Sequence, residues 1–181
     1  MSHILCTDLG TSVCKSILYD LEFKVKGRGY AEIPTHFPRP RWAEQEPEEW
    51  WSASRVTMRK SLQVPGVGPE DIAGAAVCGQ GHGPVLLSAE GGALLPCIIW
   101  PDLRAIKQAE SIAANLRRNV AAYYTAPKLL WIRENHPEAF GRMHKFVLPK
   151  DFIRMKLTGE VLSDEGDASG TMMYSREGKD W

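Results

Sequence analysis

Asp8-Leu9-Gly10-Thr11-Ser12, followed closely by Lys15, lies between two short apolar runs of β character, His3–Thr7 and Val13–Tyr19. Two such runs joined by a short turn that contains glycine predict a β-hairpin. A third run, Gly29–Ile33, is expected to extend the hairpin into a meander. The tip of this hairpin therefore combines backbone N–H groups, two hydroxyls, a carboxylate and a nearby ammonium group.

This polar turn has two interpretations. The N–H and hydroxyl groups of Gly10, Thr11 and Ser12 can bind phosphate oxygens. Asp8 can reach a hydrated Mg²⁺ ion, and Lys15 adds a positive charge within the same hairpin. The alternative is an ordinary tight turn in which Asp8 and Thr11 bond only to the backbone, and the local sequence alone favours that alternative.

The rest of the chain alternates strand-like and helix-like segments. A proline-rich stretch, Pro34–Pro47, ends the meander, and the acids that follow indicate a helix from about Glu48 to Leu62. Apolar runs predict further strands at Ile72–Cys78, Val85–Ser88 and Cys97–Trp100, and helical spacing predicts helices at Leu103–Arg118, Lys128–Asn135 and Lys150–Leu157. Hairpin strands followed by strand-and-helix units predict one α/β domain over residues 1–181, with a mixed sheet flanked by helices.

Composition excludes several classes of partner. Lys plus Arg and Asp plus Glu both number 22, so no overall field attracts nucleic acid or an anionic membrane. No segment reaches membrane-spanning length or has the features of a signal peptide, so the sequence predicts a cytoplasmic protein. The cysteines form no CxxC pair and are expected to be reduced core thiols; they are Cys6, Cys14, Cys78 and Cys97.

A second polar segment, Ser163–Thr171, holds three acids among small residues. Phosphoryl transfer to an alcohol needs a carboxylate that orients the hydroxyl and accepts its proton. Asp167 is the candidate for this general base, because the glycine-rich turn predicted around it allows a sugar to approach closely. The alternative is a helix cap or turn acid, a role that suits Asp164 and Glu165 better than Asp167.

Other candidate binding residues follow predicted strands, where open α/β sheets tend to place ligand groups. Gln80 and His82 lie in a loop with three glycines, and Asp102 follows the strand that ends at Trp100. The indoles of Trp42 and Trp100 are candidate pocket walls for a carbohydrate. The alternatives are loop hydrogen bonding for Gln80 and Asp102, a structural or solvated role for His82, and packing for the tryptophans.

Seven segments in order along the chain carry a resemblance to a known family. They are Asp8–Ser12, Trp42–Gln45, Gly79–Gly83, Ile99–Arg104, Thr125–Trp131, Leu148–Asp151 and Ser169–Thr171. Through them the sequence resembles the N-terminal domain of the FGGY carbohydrate kinases, closest to the xylulokinases. The resemblance implies a ribonuclease-H-like, actin-type fold, ATP and Mg²⁺ as cofactors, and transfer of the γ-phosphate to a hydroxyl of xylulose or a related ketose or polyol.

The resemblance also implies roles for single residues. Asp8 corresponds to the acid on the Mg²⁺ side, acting through water, and Asp167 to the general base. His82 and Asp102 correspond to partners of sugar hydroxyls. Gly81 stands where xylulokinases usually have methionine, which implies a larger or looser pocket at a position that contacts the sugar.

The family's second domain, which supplies the adenosine pocket, does not follow within the 181 residues. We therefore expect the chain alone to bind sugar without turnover, and to dimerise or aggregate through surface that this missing partner domain would cover. The alternative function is a non-catalytic sugar-binding or regulatory module with the same fold. A third, weaker alternative is an actin-like or chaperone-like ATPase, in which Asp167 and the His82 loop have no role.

Overall fold

A computed structural model of the chain describes residues 2–175, 177–178 and 180. Met1 and Trp181, the ends of the domain predicted from sequence, lie outside this set. The chain forms two compact units, the first comprising residues 1–34 and 48–80 and the second residues 35–47 and 81–181.

The regular elements follow the sequence pattern closely. The strands are β1 (His3–Leu9), β2 (Val13–Asp20), β3 (Val25–Glu32), β4 (Glu44–Gln45), β5 (Ile72–Gly79), β6 (Val85–Leu87), β7 (Cys97–Ile98) and β8 (Lys145–Val147). The helices are α1 (Pro47–Ser61), α2 (Ile106–Leu116), α3 (Thr125–Asn135), α4 (Pro137–Gly141), α5 (Pro149–Thr158) and α6 (Glu165–Gly170). Among the described residues, these helices include none with the length and apolar character that a membrane span requires.

The first unit is a four-stranded sheet with the order β3-β2-β1-β5. Strands β1, β2 and β3 pair antiparallel as the predicted meander, and β5 pairs parallel to β1, which confirms the predicted mixed sheet. Helix α1 packs on one face: the hydroxyls of Ser16 and Thr57 lie 2.7 Å apart in the interior. A Cβ placed on Gly29 would lie 2.0 Å from the Thr57 carbonyl oxygen, so only glycine permits this close approach.

The second unit contains the two small sheets β4-β7 and β6-β8 and the helices α2 to α6. Leu86, Ile98 and Ile132 belong to its buried core, with Trp131 beside them. Helix α2 begins three residues later than the sequence predicts, because the chain after Asp102 first forms a turn. It ends at Leu116, where Arg117 adopts a left-handed conformation.

The segment around Asp167 differs from the predicted glycine-rich turn. Residues Glu165–Gly170 form the short helix α6, and the Asp164 side chain caps it by accepting a hydrogen bond from the Asp167 N–H at 3.0 Å. The expectation that Asp164 suits a cap is confirmed. The prediction of a glycine-rich turn was wrong, because this cap compensates for the low helix propensity of two glycines.

Strand β5 is the apolar edge of the first sheet. Within the described part of the chain it pairs with β1 alone, and most of its residues are exposed. An apolar strand edge of this kind favours pairing with another chain.

We therefore expect the isolated chain to self-associate through β5, and Ala76→Lys to shift it toward the monomer. Ala76 is exposed within this strand, and a charged side chain on a sheet edge opposes pairing. Sedimentation velocity over a concentration series measures the effect. Ala89→Lys adds the same charge in an exposed turn and serves as the control. A chain that stays monomeric at every concentration would contradict this prediction.

Candidate functional site

The predicted phosphate turn joins β1 to β2 in the first unit. Asp8 and Lys15 face each other across these strands, and Lys15 Nζ lies 3.8 Å from Asp8 Oδ2. A Cβ on Gly10 would lie 2.7 Å from the Val13 carbonyl oxygen, so the turn requires glycine there. The Ser12 carbonyl accepts a hydrogen bond from the N–H of Ile33, which fixes the turn against the end of β3. The structure thus brings together the acid, the lysine and the glycine turn.

The charges at this turn are available to a ligand. Asp8 and Lys15 are both nearly half exposed, and an exposed pair at this distance contributes little stability. Cys78 lies beside Asp8, with its sulfur 3.9 Å from Oδ1. Partial desolvation and the charge of Asp8 raise the pKa of Cys78, so its thiol is neutral and adds no competing negative charge.

The four cysteines are unpaired thiols, as predicted. Only Cys14 and Cys97 are buried, whereas Cys6 is half-buried and Cys78 is exposed. The prediction of core thiols was therefore wrong for Cys78, because β5 is an exposed edge strand.

The residues at this turn fit a magnesium ion that arrives with phosphate. Among the described residues, no three His, Cys, Asp or Glu side chains cluster closely enough to hold a metal ion themselves. Mg²⁺ commonly keeps several waters and is held by one or two carboxylates together with substrate phosphates. Asp8 is a half-exposed carboxylate of this kind, and Lys15 and the Gly10 turn lie beside it.

Gln80 directly follows β5, beside the end of β1. Its N–H donates to the carbonyl of Leu9 at 2.8 Å, and the residue is 8% exposed. Its proposed contact with sugar stays a prediction.

In the second unit, the structure brings Gly81, His82 and Asp167 together. A Cβ on Gly81 would lie 3.9 Å from Asp167 Oδ1, and no other atom of the described residues outside its chain neighbours would come within 4 Å. His82 Nδ1 lies 3.1 Å from the carbonyl oxygen of Gly170. A Cβ on Gly170 would come within 2.9 Å of the His82 ring, so glycine is required for this packing. Helix α6 therefore brings two groups close to the loop that contains His82. They are the Asp167 carboxylate and the Gly170 carbonyl, which binds the His82 ring.

The contacts of His82 define its protonation state. Burial lowers the pKa of His82, and the nearby Lys128 lowers it further, while the Gly170 carbonyl and Asp167 oppose the shift. The ring is therefore neutral at physiological pH. A carbonyl only accepts hydrogen bonds, so Nδ1 carries the proton and Nε2 is left as an acceptor. The rings of Tyr123 and Tyr124 pack against His82 at centroid distances of 5.2 and 5.4 Å.

Lys150, which the sequence analysis missed, connects the acids of this region. Its Nζ lies 3.1 Å from Asp167 Oδ2 and 3.0 Å from Asp151 Oδ1, and it also pairs with Asp164. Burial opposes its charge, but the hydrogen bonds to Asp164 and Asp151 raise the pKa of Lys150 above its usual value. The signal in the sequence is its place in the Leu148–Asp151 segment, at the start of α5.

Asp102 forms the hydrogen bonds that the sequence analysis gave as its alternative role, and it is also buried and paired with Arg104, which the sequence did not predict. It is 1% exposed, and its oxygens accept hydrogen bonds from the N–H of Ala43, the N–H of Arg104 and the Arg104 guanidinium. Arg104 also pairs with Glu44 at 2.6 Å and lies 3.8 Å from the centroid of the Trp42 ring. Since its carboxylate is buried and engaged, Asp102 holds Arg104 in place and has no exposed oxygen to offer a sugar hydroxyl.

Trp100 lies in the turn after β7 and is 48% exposed. Its exposed surface is compatible with a pocket wall, and its contact with sugar stays a prediction.

Known proteins resemble this chain over almost its whole length. The profile of the FGGY family of carbohydrate kinases, N-terminal domain, matches residues 3–181. The chain is 36% identical to the xylulose kinase of Escherichia coli over 96% of its length, which is 37% of that protein. It is 30% identical to the glycerol kinase of Thermococcus gammatolerans over 99% of its length and 39% of that protein. The chain thus spans less than two-fifths of the length of these relatives.

Among solved structures, the chain is similar to a xyloylose kinase from Brucella ovis, with a TM-score of 0.91 and 36% identity. The similarity covers 99% of this chain and 39% of that protein. It confirms the predicted actin-type fold, in which a mixed sheet is flanked by helices. From its profile match, relatives and fold, the chain belongs to the FGGY family of carbohydrate kinases and corresponds to their N-terminal domain.

Proposed function

We propose that this chain is the sugar-binding, N-terminal part of an ATP-dependent kinase that transfers the γ-phosphate to a hydroxyl of xylulose or a related ketose or polyol. The observation that carries the proposal is the juxtaposition of Gly81, a neutral His82 and Asp167 in a family of carbohydrate kinases. A second, nucleotide-binding domain completes the enzyme, which acts in the cytoplasm. The chain alone binds sugar but does not turn over.

The side chains of the second unit supply acceptors for sugar hydroxyls. His82 presents the lone pair of Nε2, since its Nδ1 proton is donated to Gly170. Asp167 Oδ2 lies 3.1 Å from Lys150 Nζ, and a carboxylate in this place can orient a hydroxyl and accept its proton. Open space at Gly81 allows the substrate to approach both groups.

In the first unit, the groups around the turn between β1 and β2 are suited to binding phosphate. Asp8 would hold the hydrated Mg²⁺ ion through water, and Lys15 with the N–H and hydroxyl groups of Gly10, Thr11 and Ser12 would bind phosphate oxygens. Bound Mg²⁺ neutralises charge on the phosphate oxygens. Catalysis of this reaction depends mainly on positioning and on such charge stabilisation.

A coupled ADP-release assay on the protein with both kinase domains tests the proposal, across a panel of ketoses, aldoses, polyols and glycerol with MgATP. Sugar-dependent turnover supports the kinase and identifies the acceptor. Calorimetry of the isolated chain with each sugar tests separately whether the chain binds sugar. Binding without turnover in the longest form of the protein would favour the non-catalytic module instead.

Asp167→Ala in the protein with both domains is expected to lower kcat/KM for the sugar by roughly 100-fold or more, because an acceptor for the reacting hydroxyl is lost. Asp167→Asn separates two roles. If Asp167 is the general base, kcat falls in both variants. If its carboxylate only orients the hydroxyl, Asp167→Asn keeps most of its kcat and has a raised KM. Glu165→Ala, on the exposed side of α6, is the control. Unchanged kinetics in Asp167→Ala would exclude Asp167 from the sugar site.

Gly81→Met is expected to narrow the range of acceptors. Filling the open space beside Asp167 would leave kcat/KM for a pentulose within a few-fold and lower it about 10-fold or more for longer ketoses. The ratio of kcat/KM values across a series of increasing chain length measures the effect. Gly81→Ala, which adds one methyl group, serves as the control. A uniform loss for all acceptors would show that Gly81 does not determine size selectivity.

A further inference from the structure

The carbonyl group of His82 is bound by two buried side chains of helix α3. Lys128 Nζ and Thr125 Oγ1 each donate to this single oxygen at 3.2 Å. Both donors are 0% exposed and lie one helical turn apart, so they face the same point in the second unit. Neither residue was singled out as functional in the sequence.

An ammonium group in this position is costly. A buried charge is usually paired with an opposite charge, because desolvation costs several kcal/mol. Within the described residues, Lys128 has no carboxylate at ion-pair distance. The groups that face it are the Cys97 thiol of β7, Asp102 and Arg104 after β7, and His82 itself. The charge of Asp102 is largely compensated by Arg104, and burial raises the pKa of Cys97 to about 12, so that thiol is neutral.

The carbonyl that Lys128 binds belongs to a strained residue. His82 has a φ of 65°, in the left-handed region that is unfavourable for residues other than glycine. Such a conformation persists where surrounding contacts hold it. The His82 backbone is held by Lys128 and Thr125, while its ring is held by Gly170. Together these contacts fix the direction of Nε2, the atom left to accept a hydrogen bond.

We propose that Lys128, assisted by Thr125, is a positioning residue that holds the backbone of His82 so that its imidazole presents Nε2 to the sugar hydroxyl. The identity of the ligand as a sugar rests on the proposed function. The orientation and tautomer of His82 do not, because the contacts that fix them are present in the chain without any ligand.

This arrangement predicts a dependence on pH. Burial lowers the pKa of Lys128 to about 8, while Asp102 opposes the shift and Arg104 adds to it. Below that pH the donor is an ammonium, and its charge-assisted hydrogen bond is stronger than that of a neutral amine. Affinity for sugar should therefore fall as the pH rises through about 8.

The proposal is tested with Lys128→Met and with Thr125→Val, which removes one donor at almost constant shape. Arg133→Met, an exposed change on the same helix, is the control. In the protein with both domains, we expect the sugar KM to rise about 10-fold in Lys128→Met and less in Thr125→Val, with the ATP KM unchanged. The alkaline rise in sugar KM should disappear in Lys128→Met. A folded Thr125→Val or Lys128→Met variant with an unchanged sugar KM would overturn the proposal.

Nitrogen NMR of His82 in the isolated chain provides a readout that needs no sugar and no activity. Wild type should show a single tautomer with the proton on Nδ1, and Thr125→Val and Lys128→Met should show averaging between the two nitrogens. If this pattern changes as expected but wild type binds no sugar, the positioning role stands and the proposed function fails. If His82 is identical in all three proteins, the positioning role is wrong whatever the chain binds.

Discussion

Asp8→Ala, made in the protein with both kinase domains, is expected to lower kcat by about 1,000-fold or more without unfolding it. Asp8 is a half-exposed carboxylate at the end of β1, and its partner Lys15 lies 3.8 Å away. Loss of an exposed ion pair changes the free energy of unfolding by less than about 1 kcal/mol. Under the proposed function, by contrast, loss of this acid would remove the group that holds hydrated Mg²⁺, on which charge stabilisation during transfer depends.

Steady-state kinetics with MgATP, together with urea unfolding of each variant, measure this result. Asp8→Asn keeps the shape of the side chain and removes its charge, so it should be almost as impaired. Glu32→Ala removes an exposed acid from β3 of the same sheet and should leave kcat unchanged. An Asp8→Ala enzyme that keeps kcat within 10-fold of wild type, a loss of only about 1.4 kcal/mol, would show that the turn does not support phosphoryl transfer.

Asp102→Ala is expected to reduce the free energy of unfolding of the isolated chain by about 3–5 kcal/mol. The carboxylate is 1% exposed and binds the Arg104 guanidinium, whose side chain is 2% exposed. Its removal leaves a buried positive charge whose one remaining ionic partner among the described residues is Glu44, and it leaves the Ala43 N–H without this acceptor. Since whole domains are stable by only about 5–15 kcal/mol, this is a large fraction of the total.

Urea unfolding followed by circular dichroism measures this change. Asp164→Ala removes an exposed cap of α6 and should cost only about 1 kcal/mol, which makes it a matched aspartate control. A loss below 1 kcal/mol in Asp102→Ala would contradict the structural role. A stable Asp102→Asn variant with a greatly raised sugar KM would instead support the direct contact between Asp102 and sugar that the sequence predicted.

The local pattern of the chain was sufficient for most of the longer elements of the fold, but it did not predict the short elements β4, β8, α4 and α6. The two short apolar runs on either side of the turn at Gly10 predict the hairpin, and the helix predicted for Glu48–Leu62 is observed as Pro47–Ser61. Asp8 and Lys15 were assigned to one site because a hairpin places residues near its turn opposite each other, a relation set by a few peptide bonds.

Relations between distant segments could not be predicted in this way. Asp102 follows a strand, as residues that bind ligands often do. Only the folded structure shows that its carboxylate is buried and bound to Arg104, which also pairs with Glu44. Lys150 and Lys128 are ordinary helix residues in the sequence. They differ from exposed lysines only because chain folding places three aspartates around one and a strained carbonyl beside the other.

The sequence by itself determined the hairpin with its glycine turn, most of the strands and helices and, through its motifs, the family. These depend on periodicity, turn residues and short spacing, which are local properties of the chain. The tertiary structure alone decided which of the candidate acids is buried, which tautomer His82 adopts, and which lysines support Asp167 and His82. Those properties depend on desolvation and on hydrogen bonds between residues far apart in sequence, and both exist only after the chain has folded.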